Sequence, residues 1–162
     1  MAKKRLNDLF HDRLKSLYFA EIQLFENLPR LADAAQSTPL RSAFLRHREE
    51  TAAQVARLDA IFDLLGRAPR GRLSEGIRGL IMEDETLIRE YDGSEALDAG
   101  LIAYCQAIGR YQIARYGALK SWAIQLGWNE VATLLDQTLR EKKNADASMS
   151  GLAASEILPK AA

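Results

Sequence analysis

Apolar residues recur along most of the chain at steps of three and four, the spacing that places them on one side of an α-helix. The pattern breaks at residues that commonly begin or end helices, among them Gly66, Gly127 and the segment QSTPL. Four long helices and one shorter helix are therefore predicted, with approximate bounds of Leu6 to Ala35, Pro39 to Leu65, Leu73 to Tyr91, Ser94 to Leu126 and Asn129 to Ala154.

These amphipathic helices predict an all-α protein built as a four-helix bundle. The path of about 37 residues from Leu65 to Leu101 is long enough for a crossover between the second and third long helices, and it contains the shorter helix. We found no internal repeat and no sign of a second domain. Residues 1–162 are therefore predicted to form one domain, with frayed ends at about residues 1–5 and 156–162.

Charge and composition restrict the partners of this bundle. The chain has 22 Lys and Arg residues and 22 Asp and Glu residues, so its net charge gives no reason to expect binding to nucleic acid or to an anionic membrane. It has no apolar run of roughly 18 residues that could span a membrane, and the start MAKKRLNDLF lacks the apolar part of a secretory signal. The single cysteine, Cys105, cannot form an internal disulfide, so a reducing, cytoplasmic location is expected.

Polar residues interrupt three of the apolar stripes. Glu21 stands among leucines in the segment SLYFAEIQLFENL of the first helix. His47, Glu50 and Gln54 follow one another at steps of three and four, so they share a face of the second helix. Glu141 lies on the inner row of the last long helix. Each interruption is near the middle of its helix, so these residues are expected to meet at one level of the bundle.

A carboxylate inside a bundle must be paired, protonated or bound to a metal, because an isolated buried charge is very costly. Glu and His residues that point inward from facing helices hold iron or manganese ions in several helical bundles. Glu21, His47, Glu50 and Glu141 are thus candidate metal ligands. Periodicity alone leaves open the alternatives of solvated glutamates at the helix flanks and a purely structural histidine.

Four segments of the chain resemble a known family: LFHDRLKSLYFAEIQLFENLPRLA, HREETAAQVARLD, LIAYCQAIGRYQIARYGAL and QLGWNEVATLLDQTLREKK. They are similar to the YciF-like family of ferritin-like bacterial stress proteins, once called domain of unknown function 892. The resemblance extends from about Leu6 to Leu152. It implies a ferritin-like four-helix bundle with the shorter helix in its crossover, commonly a homodimer, with a carboxylate-bridged dinuclear metal centre and a link to stress responses.

The resemblance also implies roles for individual residues. It matches Glu21 to the carboxylate of the first helix, His47 and Glu50 to the motif of the second helix, and Glu141 and Asp146 to acids of the last helix. On this basis the expected cofactor is iron or manganese. A second copy of the chain is an expected partner, whereas nucleic acid and membranes are not.

The chain departs from the family pattern where further ligands would be expected. The segment IGRYQIARY carries Gly109, Arg110 and Gln112 where family members carry acids and a histidine, and Lys142 stands where an acid is common. The third long helix therefore offers no carboxylate to the middle of the bundle. A lysine or arginine can neutralise buried glutamates without a metal. We therefore expect Lys142, with Arg110 as the second candidate, to lie within salt-bridge distance of a core glutamate.

The resulting functional prediction is a cytoplasmic, stress-associated, ferritin-like protein with a vestigial or weakened carboxylate metal site, in which iron or manganese is sub-stoichiometric or absent. One alternative is a functional di-iron or di-manganese protein with oxidase or peroxide-consuming activity. A second alternative is a metal-free dimeric interaction module. Whether the protein is an enzyme stays open at this point.

Overall fold

The computed structural model describes residues 2–162 and shows helices close to the predicted ones. Every long helix, and the shorter one, begins and ends within two residues of its predicted bounds. The elements in chain order are α1 Leu6–Ala34, α2 Thr38–Leu64, α3 Glu75–Glu90, α4 Glu95–Gln125, α5 Asn129–Leu152, a π-helical segment Ala153–Ile157 and α6 Leu158–Ala161.

Serine side chains fix the start of three helices. Ser37, Ser74 and Ser94 each accept a hydrogen bond from a backbone N–H in the first turn of α2, α3 and α4, respectively. Gly66 and Gly127 follow α2 and α4 with φ angles of +64° and +76°, a left-handed conformation that favours glycine and ends a helix. The sequence bounds are accurate because these signals are local.

The carboxyl-terminal residues differ from the expected frayed end. They continue in helical conformation through the π-helical segment and α6. Ile157 is buried against the core, which holds this segment in place. Residues 2–5 precede α1 without regular structure.

The direction of each helix follows from a few polar contacts. Both carboxylate oxygens of Asp98, near the start of α4, accept hydrogen bonds of 2.8 Å from the backbone N–H groups of Gln36 and Ser37, between α1 and α2. The amino-terminal end of α4 therefore lies at the α1–α2 connection, so α4 runs parallel to α2 and antiparallel to α1. α3 lies in the long connection between α2 and α4 and packs on α4.

The two halves of the bundle close around one core. The ion pairs Lys120–Asp136 and Arg110–Asp146 show that α4 and α5 are antiparallel, because the later residue of α5 pairs with the earlier residue of α4. α1 packs on α2 and α4, and α5 packs on α4 and α2, so α1 and α5 face each other diagonally. The predicted all-α four-helix bundle with an additional helix in the crossover is confirmed, and its connectivity is consistent with the ferritin-like type.

A layer of buried polar residues divides the core into two apolar clusters. One cluster is centred on Leu28, Phe44 and Leu101, and the other is centred on Phe10 and Leu119. Between these clusters along the four long helices lie the buried polar residues Glu21, His47, Thr51, Gln54, Gln112, Thr138 and Lys142. No helix within residues 2–162 has both the length and the apolar character needed to cross a membrane.

Candidate functional site: the buried polar layer

Glu21 is at the centre of the polar layer and both of its carboxylate oxygens are engaged. Lys142 donates from Nζ to Oε2 over 2.9 Å, and the Tyr116 hydroxyl donates to Oε1 over 2.7 Å. The side chain of Glu21 is fully buried and that of Lys142 is 1% exposed. The predicted contact between Lys142 and a core glutamate is therefore present, and it joins the diagonal helices α5 and α1.

The contacts of Glu21 compensate its charge inside the apolar core. Removing a carboxylate and an ammonium from water is expensive, and their mutual attraction offsets this only when the geometry is good and further hydrogen bonds are made. Tyr116 supplies such a bond. Burial, together with the negative charge of Glu21 and the hydrogen bond to it, raises the pKa of Tyr116 well above its usual value, so Tyr116 stays a neutral donor.

His47 lies in the same layer but adds no charge to it. Its ring is buried, and Nδ1 is 3.5 Å from the Cys105 sulfur. Burial and the positive charge of Lys142 lower the pKa of His47 to about 3. Burial raises the pKa of the Cys105 thiol to about 12. Both groups are consequently neutral near pH 7, and Lys142 is the cation that faces Glu21.

Not every polar atom of the layer has a protein partner. His47 Nε2, Gln54 Oε1 and both amide atoms of Gln112 are buried without a hydrogen bond to another residue. Buried groups of this kind normally bond to ordered water. The layer therefore contains hydrogen-bonding atoms without a protein partner in addition to the Glu21–Lys142 pair, and these atoms belong to residues of α2 and α4.

Glu141 forms a separate ion pair at the edge of the bundle. The two terminal nitrogens of Arg57, Nη1 and Nη2, donate to the two carboxylate oxygens of Glu141 over 2.9 and 3.0 Å. Gln54 donates a further hydrogen bond of 3.0 Å to the same carboxylate. Burial opposes the ionisation of Glu141, but the hydrogen bonds from Arg57 and Gln54 outweigh it and lower the pKa of this carboxyl. Glu141 is therefore a charged carboxylate whose oxygens are already bound.

Glu50 does not enter the polar layer. It is exposed and lines a recess between α2 and α5 that also contains His47 and Glu141. The expectation that it points inward with His47 is wrong. The buried stripe of α2 passes from His47 to Thr51 and Gln54, at steps of four and three, and so leaves Glu50 on the flank.

Arg110, the second candidate cation, is also outside the core. Its side chain is 64% exposed and pairs with Asp146 over 3.2 Å at the surface. The expectation that it could neutralise a core glutamate is therefore wrong. Asp146, which the family resemblance matched to an acid of the last helix, is the partner in this surface pair.

The donor set does not fit a dinuclear metal centre. Such centres in bundles use about four carboxylates and two histidines that converge from the helices. Here Glu21 is bound by Lys142 and Tyr116, Glu141 is bound by Arg57, Glu50 is exposed, and α4 supplies no carboxylate to the middle of the bundle. Within residues 2–162, no group of three or more His, Cys, Asp and Glu side chains is placed to hold a metal ion.

Several important contacts were not predicted from the sequence. Arg57 was overlooked as the partner of Glu141, and Asp84 was overlooked as a buried carboxylate on α3 that pairs with Arg30 over 2.8 Å. The signal for Arg57 was available, because it lies one turn after Gln54 on the side of α2 toward α5. No local signal distinguished Asp84 from the other acids in the segment MEDET.

The fold and the buried ion pair define a class: a four-helix bundle with a long crossover and charged residues inside its core. Residues 5–162 match the family described as "Domain of unknown function (DUF892)". The chain belongs to this family. It is 36% identical to Protein YciF of Escherichia coli (strain K12), over 99% of this chain and 98% of that protein.

Solved structures extend the comparison to three dimensions. The crystal structure of the Escherichia coli stress protein YciF matches with a TM-score of 0.88 and 37% identity, covering 94% of this chain and 96% of that one. The structure of YcfI from Rhodopseudomonas palustris also matches with a TM-score of 0.88, at 35% identity, covering 91% of this chain and 94% of that one. The fold and its helix order are therefore common to this chain and to experimentally determined relatives.

Proposed function

We propose that this protein is a stress-associated, cytoplasmic, ferritin-like protein in which a buried ion pair has replaced the metal centre. The observation that carries the proposal is the engagement of both oxygens of Glu21 by Lys142 and Tyr116. A lysine ammonium at 2.9 Å supplies the positive charge that a metal ion would otherwise supply to this carboxylate. The metal site is then vestigial, and the polar layer serves to hold the four helices in register.

The stress-associated part of the proposal depends on the relatives. The Escherichia coli structure is described as that of a stress protein, and its identity of 37% extends over nearly the whole chain. A relative of this similarity supports the same cellular setting. The absence of a membrane-crossing helix within residues 2–162 and the single buried cysteine agree with the proposed cytoplasmic location.

The polar layer supports a binding or structural role better than a catalytic one. The histidine and thiol of the layer are held neutral near pH 7, and the carboxylates that could ligate or transfer protons are tied to Lys142 and Arg57. The proposed protein acts through its outer helical surfaces, as a homodimer. A bundle with no net charge and long amphipathic helices can bury a further face against a second copy of itself.

One observation favours the alternative of a working metalloprotein. His47 Nε2 and the amide of Gln112 are buried and have no protein partner, and nitrogen and oxygen atoms of these types can ligate iron or manganese. For this alternative, Lys142 would have to leave Glu21 or lose its proton. The two proposals therefore differ in what Lys142 does when metal is added.

A charge-reversal variant tests the proposal. Gln112→Glu combined with Lys142→Glu places three carboxylates at the middle of the bundle, so the variant is expected to melt well below the wild type because like charges repel. Manganese or ferrous iron should then raise its melting temperature by mass action. The matched control is Lys143→Glu, which changes an exposed neighbour.

The two proposals give different outcomes in this experiment. Under the vestigial proposal, metal stabilises the double variant and leaves the wild type and Lys143→Glu unchanged. If the wild type is stabilised by manganese or ferrous iron as strongly as the double variant, the vestigial proposal is wrong. The same holds if the double variant melts like the wild type without metal.

A further inference from the structure

A second recess lies at the end of the bundle, away from the polar layer. It has a volume of about 550 Å³ and is formed where the start of α1, the end of α2 and the α4–α5 connection meet. Its lining combines an apolar wall with polar groups: His11, Leu64, Leu65, Arg67, Gly127, Trp128, Asn129, Glu130 and Val131. None of these residues contributes to the function proposed above.

The first turn of α5 presents free backbone donors to this recess. Trp128 occupies the position before α5 and makes no side-chain cap, in contrast to the serines that precede α2, α3 and α4. Within the described residues, the backbone N–H groups of Asn129, Glu130 and Val131 have no protein hydrogen-bond acceptor. The backbone N–H of the next residue donates to the carbonyl oxygen of Trp128. All three lie in the recess lining. Free N–H groups at a helix start bind anions, and the helix dipole favours a negative charge there.

His11 is a second, independent feature of the recess. Its side chain is 8% exposed, it lines the recess, and its Nδ1 atom is buried without a hydrogen-bond partner. The ring lies 5.9 Å from that of Trp128. A buried imidazole nitrogen with no partner is uncommon, because buried polar atoms are nearly always bonded.

The charges around His11 are of both signs. Burial and the positive charges of Arg67 and Lys15 lower the pKa of His11, while Asp8 and Asp12 oppose this change. Glu130 is the acidic residue of the lining itself. An anion beside Arg67 would offset the repulsion between Arg67 and a protonated imidazole, so binding and protonation of His11 should be coupled.

The apolar wall restricts the kind of anion. Leu64 is 45% exposed, and Leu65, Trp128 and Val131 continue the same wall. A hydrophobic wall beside an arginine and free helix N–H groups suits a ligand with an apolar body and a charged end. Glu130 disfavours a second negative charge, so one negative charge per ligand fits better than two.

We propose that this recess, which we call the end recess, binds a small monocarboxylate with a flat apolar body. The carboxylate contacts the Arg67 guanidinium and the N–H groups at the start of α5, and the body lies against Leu64 and the Trp128 ring. His11 closes the inner side of the recess. This proposal is independent of whether the metal site is vestigial.

Benzoate is a suitable probe, and two other compounds separate its parts. Benzyl alcohol has the ring without the charge, and inorganic phosphate has charge without an apolar body. Binding is followed by calorimetry and by the imidazole NMR signal of His11, with the other histidine, His47, as an internal reference. Benzoate is expected to shift the His11 signal in a saturable manner and to raise the pKa of His11, and the other two compounds are expected to bind at least about tenfold more weakly.

Two arginine variants test the geometry. Arg67→Gln should weaken benzoate binding by about tenfold or more, because it removes a charge-assisted hydrogen bond. Arg70→Gln changes an exposed arginine of the same loop that does not line the recess, so it should leave the affinity within about twofold. Glu130→Gln should strengthen binding.

Several results would overturn the proposal. One is no saturable response to benzoate up to about 10 mM, a range that includes affinities weaker than millimolar. Equal binding of benzoate and benzyl alcohol would remove the role of the charge, and equal binding of phosphate would remove that of the apolar wall. Equal effects of Arg67→Gln and Arg70→Gln would place any binding elsewhere on the surface.

Discussion

Removal of the Lys142 ammonium should destabilise the protein strongly. In Lys142→Met the apolar stem is retained but Glu21, which has no exposed surface, loses its cation. Breaking a buried ion pair by removal of one partner costs about 3–5 kcal/mol. The Tyr116 hydroxyl still donates to Glu21 at 2.7 Å, so we expect a value at the lower end, about 3 kcal/mol.

This loss can be measured as a change in melting temperature. For a domain of this size, 1 kcal/mol corresponds to about 2–4 °C, so Lys142→Met should melt about 6–12 °C below the wild type. The double variant Glu21→Gln with Lys142→Met removes both charges and keeps an acceptor for Tyr116. It should recover most of the loss, because an uncharged pair has no uncompensated charge to bury.

Arg110→Ala provides the control. Its pair with Asp146 is largely exposed, so its loss should change the free energy of unfolding by less than about 1 kcal/mol. The reasoning is refuted if Lys142→Met melts within about 2 °C of the wild type, or if the double variant is no more stable than the single one. Either result would mean that Lys142 is not what compensates the charge of Glu21.

Three further predictions follow from other parts of the structure. Burial raises the pKa of Asp84 to about 6 in spite of Arg30, so the folded state binds more protons than the unfolded state at mildly acidic pH. The free energy of unfolding, measured by urea denaturation, should therefore rise from pH 7 to pH 5 in the wild type relative to Asp84→Asn. The Cys105 thiol, with a pKa of about 12, should react with iodoacetamide at pH 8 far more slowly in the folded protein than after denaturation, as followed by mass spectrometry, and equal rates would contradict its burial. The proposed homodimer should appear in light scattering at tens of micromolar, roughly the range in which specific contacts form, and a monomer there would contradict it.

The fold could be predicted from the sequence because its signals are local and repeated. The buried residues of α1 include Phe10, Leu14, Leu17, Glu21 and Leu24, at regular steps of four and three, and helix ends coincide with serine caps and glycines. The long path between α2 and α4 identified the crossover. These features depend on neighbouring residues alone, so no knowledge of tertiary contacts was needed.

The candidate site could be predicted only in part, because several of its contacts are made by residues at the edges of the buried helix stripes, where the sequence pattern does not separate buried from exposed positions. Glu21 interrupts the centre of its apolar stripe, so its burial followed from the helix pattern. The contact of Lys142 with a core glutamate followed from the family resemblance, in which an acid is common at that position. Glu50 and Glu141 lie at the edges of the buried stripes of their helices. At such an edge, a small rotation of the helix about its axis decides whether a side chain points into the core or toward the surface. The spacing places Arg57 on the side of α2 toward α5, but the acid that its long side chain reaches depends on how these two helices pack.

The metal content of the purified protein tests the central claim most directly. Protein isolated without chelator and then incubated with ferrous iron or manganese should be passed through a desalting column and measured by inductively coupled plasma mass spectrometry. We expect well under two metal ions per chain, because Lys142 and Tyr116 hold Glu21 and α4 adds no carboxylate. Two tightly held ions per chain, lost together in Glu50→Ala, would contradict the account.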